Sequence, residues 1–393
     1  MAHPTGVEQI LAFFAVVHDP RRQHATTWYP LETILTITIL ATICGAQNWV
    51  EIAHWGHAKA AWLAEFLDLT HGIPSHDTFG RVFALLEPSS LQQAFASWMQ
   101  ALADLRQDIV ALDGKTLRRS LDRADGKGPI PIVNAWSSAN ALVLAQFKVD
   151  AKTNEITALP ALLRMLNLTG AVVTIEAMGC QVEIARQIQD QGADYRLSVK
   201  ENQPTLYNDC VDLLAWLRSP QPLDQPVTLG YDEQVDGDHG RIEIRRVWGT
   251  PIPEGLESCA RWPGLSSAGM VESIHQLGEA ESVEQRYDIS SLPGTTQADT
   301  QRANRVIRTH WEIENRVHWV LDVAMGKIAT AHGTAKAPRI LPSYGSWLST
   351  YCARSLRPKA ASPRNRSEPV GTKRTCSKCC HSLDAIALLC EPG

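Results

Sequence analysis

Two short apolar runs, each closed by a carboxylate and followed by a glycine, constrain this chain more than any other feature. In the first, Ile109, Val110, Ala111 and Leu112 lead into Asp113, Gly114 and Lys115; in the second, Val172, Val173 and Ile175 lead into Glu176 and then Gly179. Unbroken β-branched and aliphatic residues up to a turn signal predict short buried strands. Asp113 and Glu176 are therefore expected at strand ends. Taken singly, the Asp-Gly pair reads first as an ordinary turn aspartate and only second as a cation ligand. Taken together the two carboxylates suggest a two-cation site, in which divalent ions activate an attacking oxygen and stabilise a leaving one. A third carboxylate is then expected from a helix.

Residues 302–323, RANRVIRTHWEIENRVHWVLDV, supply that helix. Ile307, Trp311, Glu314, Val317, His318 and Leu321 recur at steps of three and four, one stripe of a helix. The spacing predicts Glu314 on the face turned towards the core. A carboxylate there needs a cation or hydrogen-bond donors to offset its burial.

With 393 residues the chain has room for two or three domains, and 44% hydrophobic content fills their cores. The net charge of −5 excludes a protein drawn to nucleic acid by its overall field, so any DNA contact must be local. The N-terminus has no basic region or small-residue cleavage site of a secretory signal. The longest apolar stretch, residues 31–46, contains Glu32 and is too short to span a bilayer. A cytoplasmic protein with no membrane partner is expected. The nine cysteines show no ligand spacing before the tail, which predicts reduced, buried thiols.

Periodicity predicts helices over 8–18, 31–46, 49–57, 59–68, 75–86 and 89–104, with Ser75 and Ser89 or Ser90 as N-caps. In this region, residues 8 to about 100, Trp28, Trp49 and Trp55 read as core first, or with Arg21 and Arg22 as a DNA surface. Strands follow at 108–112, 131–137, 142–149, 171–176 and 194–199, with a hairpin about Ser138–Asn140 and helices over 155–167 and 181–191. After a helix at 205–217, three alternating strands give residues 205–300 a β-rich texture. Arg241, Arg245 and Arg246 make that region a candidate for DNA contact; His239 reads as structural or DNA-contacting ahead of catalytic. Lys115, and Lys200 with Asn202 and Gln203, either meet phosphates at the edge of the site or are solvated.

The ordered set ALDGKTLR, AWSSANALVLAQFKVDAKTNEITALPALL, VTIEAMGC, LSVKENQPTLY, HGRIEIRRV and THWEIENRVHWVLDV resembles the insertion-sequence DDE transposases of the H-repeat-associated group. The resemblance runs from near residue 8 to about residue 325. It implies an α/β protein: a helical N-terminal domain over 1–104, then an RNase H-like catalytic domain over 105–325 carrying the β-rich insertion. It further implies three carboxylates, Asp113, Glu176 and Glu314, holding Mg²⁺ or Mn²⁺ for DNA cleavage and strand transfer. The partners implied are double-stranded DNA at transposon terminal inverted repeats and a second copy of the chain in a synaptic homodimer. Lys115, Lys200, Asn202, Arg241 and His310, the first residue of the His310–Asn315 signature, are the candidate DNA-binding residues. One position departs from the family, which has aspartate where this chain has Glu176. The extra carbon extends the arm by about 1.5 Å, and misplacement of about 1 Å can cost on the order of a hundredfold in rate. Two alternatives follow: a catalytically dead remnant that binds transposon ends, and a host nuclease on the same fold.

Past Met325 the resemblance stops. Read one base out of frame with permitted codons, the stretch from Gly326 becomes GEDRNRTRHGQGPENLAVLRKLALNVLRS, which looks like the missing family ending. A single-base loss near the Met325 codon is expected, with residues 326–393 a disordered, aberrant tail. Cys376, Cys379, Cys380 and His381 have zinc-like spacing, which an out-of-frame origin makes accidental.

Overall fold

The computed structural model describes residues 6–22, 28–46, 48–117, 130–149, 155–220, 228–238, 241–277 and 280–318. Leu321, Met325, the tail with its cysteines, and His239 lie outside them. The described strands form one nine-stranded sheet: β1 (Ile109–Leu117), β2 (Ile130–Ser137), β3 (Leu142–Lys148), β4 (Val172–Ile175), β5 (Asp194–Val199), β6 (Gly230–Asp238), β7 (Arg241–Pro251), β8 (Ser267–Leu277) and β9 (Ala280–Ser290). Their order is β3-β2-β1-β4-β5-β9-β8-β7-β6.

The first five strands are the centre. β1, β2 and β3 pair antiparallel, whereas β1-β4 and β4-β5 are parallel. Parallel neighbours need crossovers, supplied by α7 (Glu155–Arg164) before β4 and α8 (Val182–Asp190) between β4 and β5. This mixed α/β sheet has the strand order expected of an RNase H-like fold. Val110, Ala111, Leu112, Val173 and Leu197 are completely buried, as unbroken apolar runs covered on both faces should be.

The predicted end of β1 is wrong. The strand continues through Asp113 and Gly114 to Leu117, because β2 offers ladder partners as far as Ile130. Only the pairing with β4 stops at Leu112. Asp113 thus lies where a parallel neighbour ends, inside a strand that carries on.

β6 to β9 form an antiparallel wing attached at β5-β9. Sequence patterning misses β6, whose acidic and glycine-containing string has no apolar alternation of its own. α9 (Pro204–Arg218) joins β5 to β6, and the short α10 (Glu257–Ala260) lies between β7 and β8. α9 packs on β8 and β9, with Arg218 4.3 Å above the Trp248 ring. α11 (Gln297–His310) starts at a capping box, Thr296 with Asp299, and packs on β6 and β7 as well as β1 and β4. Gly230 permits this approach: a Cβ there would meet Thr300 Oγ1 at 1.9 Å.

The predicted continuous 302–323 helix is also corrected. α11 ends at His310, and after a turn at Trp311 residues Glu314–His318 form a π-helical turn. Glu314 is exposed, not turned to the core; Val317 and His318 are the buried members. A wider turn rotates the stripe, so the three-and-four spacing no longer names the inner face.

Residues before the sheet form α1 (Gly6–Phe14), α2 (Leu31–Ile43), α3 (Trp49–Ala58), α4 (Ala60–Leu63), α5 (His76–Leu85) and α6 (Pro88–Leu102). α2 is buried almost all round, the mark of a helix inside a bundle. Phe14 meets Phe95 edge-on at 4.9 Å, fixing α1 on α6, and α6 packs on β3. Ser75 caps α5 as expected, but Glu87 caps α6, ahead of Pro88 at its first turn. Trp98 is core, while Trp28 is 55% exposed and stacked on His71. Among the described residues Cys44, Cys180, Cys210 and Cys259 form no disulfide, and the last three are buried.

Candidate active site

Cross-strand partners share a face of the sheet, so the register can be followed sideways. Gln146 on β3 pairs with Asn134 on β2, and Asn134 pairs with Asp113 on β1. Leu112 pairs with Ile175, which brings Glu176, one residue further, beside Asp113. One line of polar residues therefore runs across a largely apolar centre. Thr174, two residues before Glu176, hydrogen-bonds His310 of α11 at 2.8 Å, so this is the face that α11 covers. Gly179 stands against Ile175 and Leu159, which places α7 on the opposite face.

The π-helical turn lowers two side chains onto this line. His318 Nδ1 lies 2.5 Å from Glu314 Oε2 and 3.5 Å from Asp113 Oδ2. The other ring nitrogen, Nε2, is 3.5 Å from Asn134 Nδ2, and Asn134 Oδ1 accepts from Gln146 Nε2 at 2.7 Å. Asn134 and His318 are fully buried and Gln146 nearly so. Because Asn134 turns its amide nitrogen to Nε2, the matching neutral tautomer carries its proton on Nδ1, facing the carboxylates. Lys115 Nζ is 3.9 Å from Glu314 Oε1, so that lysine borders the site with its side chain only 15% exposed.

Glu176 is exposed and closes β4 in extended conformation. The segment after β5 clasps the 3₁₀ turn that follows it, Ala177–Gly179. Asn202 Nδ2 donates to the Ala177 carbonyl at 2.7 Å and Gln203 Nε2 to that of Cys180 at 3.0 Å. A Cβ at Gly179 would lie 2.3 Å from Ile175, so the turn requires glycine. Asn202 thus acts on the Glu176 loop, and Lys200 is exposed at the end of β5. Arg241 opens β7 opposite Asp238 and Leu277, at the far end of the wing.

Beside Glu176 a cleft of about 640 Å³ separates α11 and the π-helical turn from β4, β5 and the wing. His310 lies on its floor, and burial pushes its imidazole down to about 4, so the ring is neutral near pH 7. It cannot serve there as a cationic phosphate contact. Arg196 and Asp288 form a buried ion pair at 2.5 Å, with burial pushing the Asp288 carboxyl up against the pull of Arg196. Arg286 stacks 4.4 Å from the Trp311 ring. Arg245 pairs with Glu243, and Arg246 with Glu233 and Glu272.

Asp113, Glu314 and His318 each offer one ligand atom, all within 4.8 Å of one another. The two carboxylates are oxygen donors of the kind a hard divalent cation takes, whereas the imidazole is a donor that transition metals favour and Mg²⁺ does not. Glu176 is not in that group. The contributions of His318, Asn134 and Gln146 are not legible in the stripe and strand patterns, which class them with core positions. A buried Asn and Gln on facing strands are the one local sign, since such amides persist only with partners.

The chain matches the family model described as Transposase DDE domain over residues 104–334, and a second, DDE_Tnp_1-associated, over residues 11–99. A Xanthobacter autotrophicus protein, named only for its position in the dhlA 3′ region, is 41% identical, with 71% of this chain and 93% of that one aligned. "Putative transposase YncI" of Escherichia coli O157:H7 is 36% identical over 86% of this chain and 85% of its own. "H repeat-associated putative transposase YhhI" of E. coli K12 is 33% identical, over 82% and 84%. A piggyBac transposase synaptic complex aligns over 90% of this chain and 79% of that one at 11% identity with a TM-score of 0.35, too slight a likeness to carry weight. A family match over more than half the chain, with relatives of this identity and coverage, makes the conclusion plain: the chain belongs to the DDE transposases.

Proposed function

We propose that this DDE transposase is the enzyme of an insertion sequence, cutting DNA at terminal inverted repeats and joining it to a target, with Asp113, Glu176 and Glu314 holding the divalent cations Mg²⁺ or Mn²⁺. The observation that carries the reading is the convergence of Asp113, Glu314 and His318 at the end of the β1-β4 pairing. When bound, the cation supplies Lewis-acid stabilisation of developing phosphoryl charge and lowers the pKa of an attacking water or 3′-hydroxyl. Asp113 and Glu314 hold it from two elements; His318 orients Glu314 through their hydrogen bond. Lys115 faces the substrate phosphate, and Asn202 steadies the loop that carries Glu176. Residues 1–104 and the insertion at 205–300, with Arg241, grip the DNA ends in a homodimer.

The assay is purified protein with Mg²⁺ or Mn²⁺ on duplexes carrying the element's ends. Cleavage and joining are expected, with Asp113→Asn and Glu314→Gln each lowering the rate by at least about 10²- to 10³-fold, the scale for losing one transition-state electrostatic contact. Hydrolysis without joining would instead select a host nuclease. One observation favours a second reading, an end-binding remnant: Glu176 has the longer arm and stands outside the converging group. Glu176→Asp separates the two, since a competent site gains activity and a remnant stays silent while binding the ends without metal. The family match runs to residue 334, past the expected break at Met325, and resequencing the codons for residues 320–360 tests the proposed base loss.

A further inference from the structure

The cleft beside Glu176 is rich in arginine, yet its arginines do not present a bare positive surface. Three stand open to solvent: Arg286, Arg308 and Arg316, with side chains 34%, 50% and 52% exposed. Each has a carboxylate of the same chain against it: Glu284 at 2.9 Å from Arg286, Glu312 at 3.5 Å from Arg316, and Asp236 against Arg308. The Arg286 hydrogen bond holds the Glu284 carboxyl below its usual range. The three arginines come from β9, α11 and the π-helical turn, so separate elements deliver them to one cleft.

Exposed ion pairs of this kind contribute little to a fold, so three of them around one cleft call for another reason. A guanidinium fork that fits a carboxylate also fits a phosphate. The chain as a whole is negative, which leaves local arginines to attract a polyanion. We infer that Glu284, Glu312 and Asp236 are internal stand-ins for DNA phosphates: they hold the cleft arginines in place, and the DNA backbone enters by displacing them. The carboxylates therefore restrain DNA binding, and removing one strengthens it. This rests on the reading of the protein as a DNA transposase and adds how its cleft is kept from indiscriminate binding.

The test measures fluorescence anisotropy of the full chain on a duplex with the element's ends and on an unrelated duplex, across a salt series without divalent metal. Glu284→Gln/Glu312→Gln is compared with wild type and with Glu183→Gln/Glu254→Gln, a control of equal charge change at exposed positions outside the cleft. The cleft variant should bind both duplexes about three- to tenfold more tightly, with a salt slope steeper by up to about 0.9 for each arginine freed. The control should stay within about twofold of wild type. Adding Arg286→Gln should cancel the gain from Glu284→Gln. A cleft variant no tighter than the control, on protein that binds the end duplex, would overturn the inference and leave the transposase reading standing. If neither wild type nor any variant binds either duplex, the DNA reading itself falls.

Discussion

The two halves of the sheet handle polar groups in opposite ways. Across β3-β2-β1-β4-β5 most strand positions are buried, and among the polar ones Gln146, Asn134 and Asp113 stand in one line. In the wing, cross-strand neighbours Glu233, Arg246 and Glu272 form an ionic row that Gln285 extends by a hydrogen bond, while Val235, Ile242 and Val283 are exposed. A polar side chain in the centre has few places to satisfy itself, so its partners dictate its position. One in the wing can turn to water. Asp113 sits in the half where displacement is most costly, whereas Arg286, one of the cleft arginines, sits in the half where exchange is cheap.

The sharpest test of that contrast is at the seam. Arg196→Met strands the buried Asp288 and should cost about 3–5 kcal/mol in urea unfolding, partly recovered in Arg196→Met/Asp288→Leu. A cost near zero would make the seam as tolerant as the wing and break the comparison. Acid comes next. His310 drops from 6.5 to about 4 on folding, so the unfolded chain takes up its proton first as pH falls. The stability tied to the neutral ring is complete above about 6.5 and is lost between there and about 4, about 3 kcal/mol in all. His310→Gln should remove that part of the pH dependence, which chemical denaturation at pH 7 and pH 4.5 would reveal.

Smaller effects probe the wing. Gly230→Ala drives a methyl into Thr300 and should cost about 1–3 kcal/mol, the range for overpacking; Thr300→Ser in the same chain should relieve only part of it. Glu233→Gln, in the exposed ionic row, should leave the unfolding midpoint unchanged within error. A large loss there would show that the wing's charges are as constrained as those of the centre.

Much of the centre was legible beforehand. Strands β2, β3 and β5 follow their apolar patterns nearly to the residue, and Asp113 and Glu176 stand out because each closes a run. The wing was less so: β6 has no pattern of its own and becomes a strand because β7 pairs with it along its length. Glu314 was legible as a residue and misread as a position, because helical spacing presumes an unbroken α-helix and the chain widens at Glu314–His318.

By itself the sequence determined the run-plus-carboxylate strands, the helical start and the DDE family, since these depend on local periodicity and on motifs contiguous in the chain. Only the tertiary structure decided that β1 runs on past Asp113, that His318 bridges towards Asp113 and Glu314 with Asn134 behind it, and that the cleft arginines are held by carboxylates. These are contacts between residues far apart in the chain or across a break in helical geometry, and local pattern carries no record of a partner that arrives from elsewhere.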